Sequence, residues 1–270
     1  MTTPTITAAA TGAGAAPRAP RGVLPALLTV TFMTALDFFI VNVAMPAIQR
    51  DLRAGPSALQ WVVAGFGLAL ATGLITGGRL GDIYGRRRVL AAGLTLFTVA
   101  SVLCGVAPAA WALVAGRALQ GVGAALIMPQ TLAVLRTVVP APAPAQPKAF
   151  ARYGLTLGLG AVFGQVVGGV LIKADLFGLD WRLCFLINLP IGVAALAMLR
   201  TIPESRGTGS RLDLPGAALV TAALVALVLP LIQGRELGWP LWTWLCLGLA
   251  AVLSPDSWPI SGTAGARSST

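Results

Sequence analysis

Residues 58–106 read ALQWVVAGFGLALATGLITGG, RLGDIYGRRR and VLAAGLTLFTVASVLCGV, which are two apolar stretches on either side of ten residues that carry five charges. Each apolar stretch is close to the roughly 20 residues that a helix needs to cross the hydrocarbon core of a bilayer. The charges are confined to the connection between them, as a bilayer solvent demands. This part of the sequence therefore predicts two membrane-spanning helices joined by a short charged loop.

The same pattern recurs along most of the chain. Apolar residues make up 56% of the 270 positions and charged residues only 10%, which is well below the charge content of a soluble domain. We therefore predict an all-α membrane protein with about seven complete spans and the beginning of an eighth near residue 241. The predicted spans are residues 23–45, 58–78, 89–106, 111–135, 150–172, 183–199 and 214–232.

The basic residues fall in alternate loops. Twelve of the nineteen lie in the N-terminal segment and in the loops after the second, fourth and sixth spans, and five lie in the loops of the opposite side. This asymmetry is the positive-inside pattern of membrane proteins, so we expect a cytoplasmic N-terminus. It also argues against a nucleic-acid partner, which the net charge of +10 would otherwise suggest.

Composition divides the chain into four parts. Residues 1–22 are expected to be a disordered cytoplasmic tail, 23–201 a bundle of six transmembrane helices, and 202–253 a linker span followed by a partial eighth helix. Residues 241–253 are too few to cross the bilayer at about 1.5 Å per residue, and residues 254–270 are polar. We expect an aberrant tail from truncation or a frameshift, with a genuine short re-entrant end as the alternative.

Residues for metal or enzyme chemistry are scarce. The sequence has no histidine and three cysteines, Cys104, Cys184 and Cys246, all in or against apolar spans. The cysteines lack metal-ligand spacing, and neither a catalytic triad nor a phosphate-binding loop can be assembled. We therefore expect no metal, no cofactor and no enzymatic activity.

The loop between the second and third spans has the most distinctive pattern. In residues 78–88, GRLGDIYGRRR, Gly78 and Gly85 allow tight turns, and Asp82 is an acid among the bases Arg86 and Arg87. Topological anchoring alone would explain the arginines. It would leave the acid and the glycine spacing unexplained.

This loop resembles the signature of the major facilitator superfamily, with Ile83 at the position where the family usually has a base. The resemblance implies a transporter whose halves each contain six helices, and we call residues 78–88 the gate loop, because in the family this loop biases the inward/outward equilibrium. It implies that Asp82, Arg86 and Arg87 belong to that gate, and that the chain lies in a bacterial cytoplasmic membrane as a multi-pass protein.

The first span resembles that of drug:proton antiporters with fourteen helices, through residues 36–48, LDFFIVNVAMPAI. Asp37 is an ionisable group in an apolar helix, and such groups mark ion or proton pathways by default. A hydrated aspartate that caps the helix at the interface is the alternative. The resemblance implies a proton-coupling role for Asp37, and we expect Asn42 to line the cavity.

The fourth span resembles the family's fourth-span motif through residues 113–125, LVAGRALQGVGAA. In that motif the arginine is associated with proton transfer, which makes Arg117 the second proton-coupling candidate. Alternatively, Arg117 could extend to the nearby interface. Gln120 follows on the same helical face and is a second candidate for the cavity lining.

The fifth span is rich in glycine. Small residues four apart let another helix approach closely, which ordinary packing would also explain. The pattern resembles the antiporter motif of exporters in the superfamily, with Gln165 where the family usually has proline. The motif residues are Gly160, Gly164, Gln165, Gly168 and Gly169.

Trp181 and Arg182, followed by Asn188, resemble the start of the sixth span in the same group. Together, the motifs imply a proton-coupled antiporter that exports hydrophobic or cationic small molecules by alternating access. The partners would be a small-molecule substrate, protons and the lipid bilayer. The alternative is a truncated, membrane-inserted fragment that needs the missing C-terminal half or self-association for transport.

Overall fold

The computed structural model describes residues 22–138, 145–207, 214–234 and 236–253. In this part the helices are α1 (Val23–Leu52), α2 (Pro56–Tyr84), α3 (Arg86–Gly105), α4 (Ala110–Val138), α5 (Ala145–Ala174), α6 (Leu183–Leu186), α7 (Asn188–Met198), α8 (Leu214–Gln233) and α9 (Leu241–Leu253). The prediction of an all-α fold is confirmed. The predictions for the tails, residues 1–21 and 254–270, lie outside the described residues.

Six segments of the described chain are long and apolar enough to cross a membrane: α1 to α5, and Asp180–Thr201, in which short 3₁₀ turns extend α6 and α7. The predicted six-helix bundle is therefore present. The seventh predicted span corresponds to α8, a helix of 20 residues without a charged side chain. The thirteen-residue α9 occupies the predicted partial eighth helix.

The gate loop is less of a loop than the sequence suggested. α2 continues to Tyr84 and α3 begins at Arg86, so only Gly85 interrupts the helix, with a φ of 107°. That backbone conformation is accessible to glycine and strained for other residues. A single glycine therefore turns the chain between two spans, and most charges of the gate loop lie on helical ends.

The sixth span is interrupted once, at Ile187, between α6 and α7. Pro190 has no N–H to donate to the carbonyl of Leu186, which is the bond that an uninterrupted helix would make. Ile187 keeps helical backbone angles, φ −59° and ψ −25°, so the span continues in the same direction. Asn188 is the first residue after the interruption.

The bundle packs chiefly through α1 on α5, α2 on α4, and α3 on α4, with α8 against α2 and α9. Its buried side chains form two apolar clusters. α1 contributes residues 23–33 to one cluster and residues 36–48 to the other. Polar side chains are buried near the boundary between these clusters, and they form the candidate site.

Candidate functional site

Asp37 and Arg117 form an ion pair inside the bundle. Asp37 Oδ2 lies 2.7 Å from Arg117 Nη1, and the exposed fractions of the two side chains are 0% and 1%. Arg117 Nε also donates to the carbonyl of Val62 at 3.1 Å, and its guanidinium carbon lies 4.3 Å from the centre of the Phe66 ring. The structure thus buries both side chains inside the bundle, where neither is exposed to solvent.

Three neutral side chains complete what we call the carboxylate network: Asp37, Arg117, Gln120, Ser101 and Asn188. Gln120 Nε2 donates to Asp37 Oδ1 at 2.9 Å and to Ser101 Oγ at 2.6 Å. Asn188 Nδ2 donates to Asp37 Oδ1 at 2.6 Å and to Ser101 Oγ at 3.2 Å. The network joins α1, α3, α4 and α7, and all five side chains are buried.

This arrangement offsets the cost of burying charge. A buried ion pair stays favourable only when further hydrogen bonds satisfy its remaining polar atoms. Asp37 accepts three bonds, and Gln120 Oε1 accepts one from Arg117 Nη1 at 3.0 Å. Chemically, the network can hold a carboxylate in the charged state, because hydrogen bonds to a charged oxygen are stronger than those to a neutral one.

Sequence reasoning assigned Gln120 to the cavity, but it missed Ser101 and gave Asn188 no role in the site. Ser101 belongs to no motif and resembles an ordinary small residue of a span. Asn188 carried a signal that could have been used, since it is one of two asparagines in the chain and follows an apolar run. A strongly polar amide in a span needs a partner.

An apolar cavity of about 480 Å³ lies next to the network. Phe66 is shared between the two, because its ring lines the cavity and also packs against the Arg117 guanidinium. The lining comes from α1, α2, α4 and α5 and contains no charged side chain: Thr34, Ala35, Phe38, Phe39, Phe66, Leu70, Ala124, Met128, Leu157, Gly158 and Ala161. The cavity therefore suits an apolar or aromatic molecule.

Three glycines of α5 pack directly on α1 beside Asp37. A Cβ atom at Gly160 would lie 2.6 Å from the Ala35 Cβ, and one at Gly164 would lie 2.7 Å from the Leu36 carbonyl oxygen. At Gly168 the nearest atom, in Ile40, would be 2.8 Å away. These glycines set the distance between α5 and the turn of α1 that carries Asp37.

Three other predicted site residues lie apart from this contact. Gln165 is exposed, and a Cβ at Gly169 would meet no atom within 4 Å. Asn42 is exposed, and its amide donates to the Phe39 carbonyl of its own helix at 3.4 Å. The structure does not bring them into the carboxylate network, and their proposed roles remain predictions.

The gate loop is held by a segment that sequence reasoning did not connect with it, residues 202–207. Asp82 Oδ1 forms an ion pair with Arg86 Nη2 at 3.1 Å. The backbone N–H of Arg86 donates to the Ser205 carbonyl at 2.9 Å, and that of Gly207 donates to the Asp82 carbonyl at 3.2 Å. The gate loop and the segment after the sixth span thus form one structural unit.

Glu204 is the acidic residue of that segment. Its Oε1 accepts the backbone N–H of Arg87 at 3.0 Å, in the first turn of α3, and its other oxygen lies 3.9 Å from Arg87 Nε and 3.8 Å from Arg88 Nε. A carboxylate is favourable at a helix N-terminus. A Cβ at Gly85 would lie 2.6 Å from this carboxylate, so Gly85 also makes room for Glu204.

The opposite end of the bundle has its own polar cluster. Asp51 Oδ2 accepts from Trp181 Nε1 at 2.9 Å and from Arg182 Nη1 at 2.5 Å. The cluster joins the end of α1 to the start of the sixth span. Among the described residues, no group of three or more potential metal ligands occurs.

The chain is similar in sequence to several proteins named for transport, resistance or export. The chain is 47% identical over 247 residues to the probable actinorhodin transporter of Streptomyces coelicolor, which covers 90% of this chain and 42% of that protein. It is 41% identical over 218 residues to the puromycin resistance protein pur8 of Streptomyces alboniger, covering 80% and 42%. The cephamycin export protein CmcT of Amycolatopsis lactamdurans is 39% identical over 215 residues, covering 78% and 43%.

The chain therefore spans about two fifths of the length of these curated relatives. Solved structures show the same fold at low identity. A crystal structure of the peptide transporter POT in complex with sulfate matches with a TM-score of 0.60 and 15% identity, over 84% of this chain and 49% of that one. A bacterial homologue of the human lysosomal transporter Spinster, inward-facing and occupied, matches with a TM-score of 0.59 and 19% identity, over 86% and 57%.

The sequence profile of the Major Facilitator Superfamily matches residues 27–261, which include α1 to α9 apart from the first turn of α1. With the identity to several transporters above 30% over most of the chain, this match settles the family. The protein is a multi-pass membrane protein of the Major Facilitator Superfamily.

Proposed function

We propose that this chain works as a proton-coupled antiporter that exports hydrophobic or cationic small molecules by alternating access. The observation that carries the proposal is the ion pair of Asp37 and Arg117, buried at 0% and 1% exposure. Intramembrane charges of this kind are expensive to bury and mark proton or substrate pathways. We place the N-terminus in the cytoplasm and the protein in a bacterial cytoplasmic membrane.

The proton step follows from the network. When Asp37 takes up a proton it becomes neutral, and Arg117 is left as a buried cation without its counter-charge. Removing one partner of a buried ion pair costs about 3–5 kcal/mol, which is enough to favour a different arrangement of α1 and α4. Release of the proton restores the pair, so proton binding can alternate with a change of conformation.

Two observations support the substrate class. The cavity beside the network is lined by the aromatic side chains Phe38, Phe39 and Phe66 together with aliphatic side chains, as expected for a site that binds apolar molecules with few polar contacts. The related proteins are named for antibiotic transport, resistance or export. The lining residues include no acid, so the cavity supports hydrophobic substrates more directly than cationic ones.

The remaining motifs take supporting roles in this proposal. The gate loop, through Asp82, Arg86 and Arg87, biases the equilibrium between inward-facing and outward-facing states. Three of the antiporter-motif glycines, Gly160, Gly164 and Gly168, keep α5 close to Asp37. Asn42 and Gln165, both exposed on the bundle, are available to line a larger cavity between this bundle and a second one.

The test measures dye efflux from an efflux-deficient bacterial host that expresses the chain. Energised cells should lose a hydrophobic dye faster than cells without the chain, and a protonophore should abolish the difference. Asp37→Asn should also abolish it, because the side chain can no longer bind and release a proton. Asp51→Asn is the matched control on the same helix, since it keeps an acceptor for Trp181 and lies outside the carboxylate network.

The alternative function, a membrane-inserted segment without autonomous transport, is favoured by one observation, the coverage of about two fifths of the relatives' length. If energised cells retain dye equally with and without the chain, autonomous export is wrong. Co-expression with the C-terminal part of a full-length relative then decides the matter. Efflux restored by the pair and lost with Asp37→Asn would support the proton step within a two-part transporter.

A further inference from the structure

Asn188 has a hydrogen-bonding atom that the carboxylate network leaves unused. Its Oδ1 is buried and makes no hydrogen bond, while its Nδ2 donates to both Asp37 and Ser101. A buried acceptor without a partner is costly and uncommon. We propose that Asn188 turns its side-chain amide when Asp37 is protonated, so that Asn188 Oδ1 accepts the new Asp37 O–H. This inference rests on the proposed function, because it requires Asp37 to gain a proton.

The need for an acceptor arises at Asp37 itself. Asp37 Oδ1 receives two N–H donors, from Gln120 and Asn188, and Oδ2 receives one from Arg117. Each of these neighbouring nitrogens can only donate. A proton that arrives on Oδ1 therefore meets donors alone, and one of the neighbours has to present an acceptor in place of its N–H.

Gln120 is not free to do so. Its Oε1 accepts from Arg117 Nη1, and its Nε2 donates to Asp37 and Ser101, so both ends of the amide are in use. Turning Gln120 would bring its N–H groups against the guanidinium, donor facing donor. The turn would lose bonds at both ends of the side chain.

Asn188 gives up less than Gln120 when it turns, because its Oδ1 has no hydrogen bond to lose, and the NH₂ group moves to the place that Oδ1 occupied. Rotation of its amide by about half a turn exchanges oxygen and nitrogen, which differ little in size. Oδ1 then occupies the position 2.6 Å from Asp37 Oδ1 and 3.2 Å from Ser101 Oγ. It can accept from the Asp37 O–H and from the Ser101 hydroxyl, which rotates freely. The proton stays on Asp37; the two N–H···O bonds from Asn188 Nδ2 are replaced by two O–H···O bonds, one from Asp37 and one from Ser101, and no covalent bond breaks.

The other groups around Asp37 do not offer an acceptor for its proton as Asn188 does. Arg117 faces Asp37 from α4 as the charged neighbour, and the thiols of Cys104 on α3 and Cys184 on α6 lie nearby. α2 contributes the Phe66 ring and the Val62 carbonyl, both against Arg117. α5 contributes glycines. Among these described neighbours, Asn188 carries an unused acceptor on the same amide whose nitrogen contacts the carboxylate.

Selective labelling makes the turn observable in the unmodified chain. The sequence contains only two asparagines, Asn42 and Asn188, so a chain grown with ¹⁵N-asparagine and reconstituted in lipid nanodiscs gives two side-chain amide signals by NMR. Asn42→Gln leaves one signal and assigns both. Asn188 should shift with pH at the same midpoint as the infrared carboxyl band of protonated Asp37, whereas Asn42 should stay constant.

Two variants make the test selective. Asp37→Asn in the Asn42→Gln background should remove the pH dependence of the Asn188 signal. Asn188→Leu should move the infrared carboxyl band of protonated Asp37 to the higher frequency of a carboxyl group without an acceptor, while Asn42→Leu leaves the band in place.

The outcomes separate the two proposals. If the Asp37 band titrates but the Asn188 signal stays constant, or the band is unchanged in Asn188→Leu, Asn188 does not follow the proton and the proposed function survives. If no carboxyl band that depends on Asp37 appears at any pH at which the chain stays folded, both proposals are wrong.

Discussion

Replacing Gly164 with alanine is expected to destabilise the bundle, while the same change at Gly158, six residues earlier on α5, should not. At Gly164 the new Cβ would lie 2.7 Å from the Leu36 carbonyl oxygen and 3.1 Å from the Phe39 Cβ. At Gly158 it would meet no atom within 4 Å. Backbone atoms of α1 cannot give way as a flexible side chain can, so the helices have to separate at Gly164.

The magnitude follows from two terms. Both variants gain about 1 kcal/mol of helix propensity from the change of glycine to alanine, and this term cancels between them. Overpacking at Gly164 costs about 1–3 kcal/mol. Gly158→Ala should therefore be stabilising by up to about 1 kcal/mol, and the free energy of unfolding of Gly164→Ala should be about 1–3 kcal/mol lower than that of Gly158→Ala.

The assay is equilibrium unfolding of the purified chain in mixed micelles with rising SDS, followed by the fluorescence of its seven tryptophans. Equal unfolding free energies for the two variants would refute the reasoning, because α5 would then not approach α1 at Gly164. A larger loss for Gly158→Ala would refute it more strongly, since that result would place the close contact on the other face of α5.

Three further predictions concern other parts of the fold. Glu204→Ala should lower stability by about 1 kcal/mol by removing the cap on the Arg87 N–H, and Glu204→Gln should cost less because it keeps an acceptor; thermal unfolding at low and high salt measures both. Trp181→Phe should cost about 1–2 kcal/mol by removing the bond to Asp51, measured by the same SDS titration. Cys246, which is half-buried, should react with a membrane-permeant maleimide before the two buried cysteines do, as read by mass spectrometry.

Each of these predictions has an outcome that contradicts it. Equal melting temperatures for the native chain and Glu204→Ala would mean that the Glu204 carboxylate does not stabilise the start of α3. An unchanged unfolding curve for Trp181→Phe would show that the hydrogen bond from the Trp181 indole to Asp51 does not stabilise the fold. Maleimide labelling of Cys104 as fast as that of Cys246 would show that the carboxylate network is open to small molecules.

Much of the fold could be predicted from the sequence because the signals are local. Membrane spans depend on the hydrophobicity of about 20 consecutive residues, and α1 to α5 lie where the apolar runs are. The errors also had local causes. The charged residues 79–88 look like a loop in the sequence, but most of them continue the helices, whose backbone hydrogen bonds are made regardless of side-chain charge. Gly85 alone provides the turn between α2 and α3.

The site was predictable only in part. Asp37 and Arg117 stood out because charges in apolar spans are rare. Ser101 did not, because a single hydroxyl in a span has no distinctive sequence pattern. Glu204 was also missed, since its role depends on a contact with Arg87 that lies 117 positions away in the sequence.

The sequence alone determined that this protein is helical, spans a membrane and resembles an exporter, since those properties follow from the hydrophobicity and order of neighbouring residues. Only the tertiary structure decided that Asp37 and Arg117, 80 positions apart, share one buried ion pair, and that Asn188 meets them with an unused acceptor. Such contacts depend on how helices are rotated and packed against each other. Packing is fixed by many weak, long-range contacts at once, which no single stretch of sequence contains.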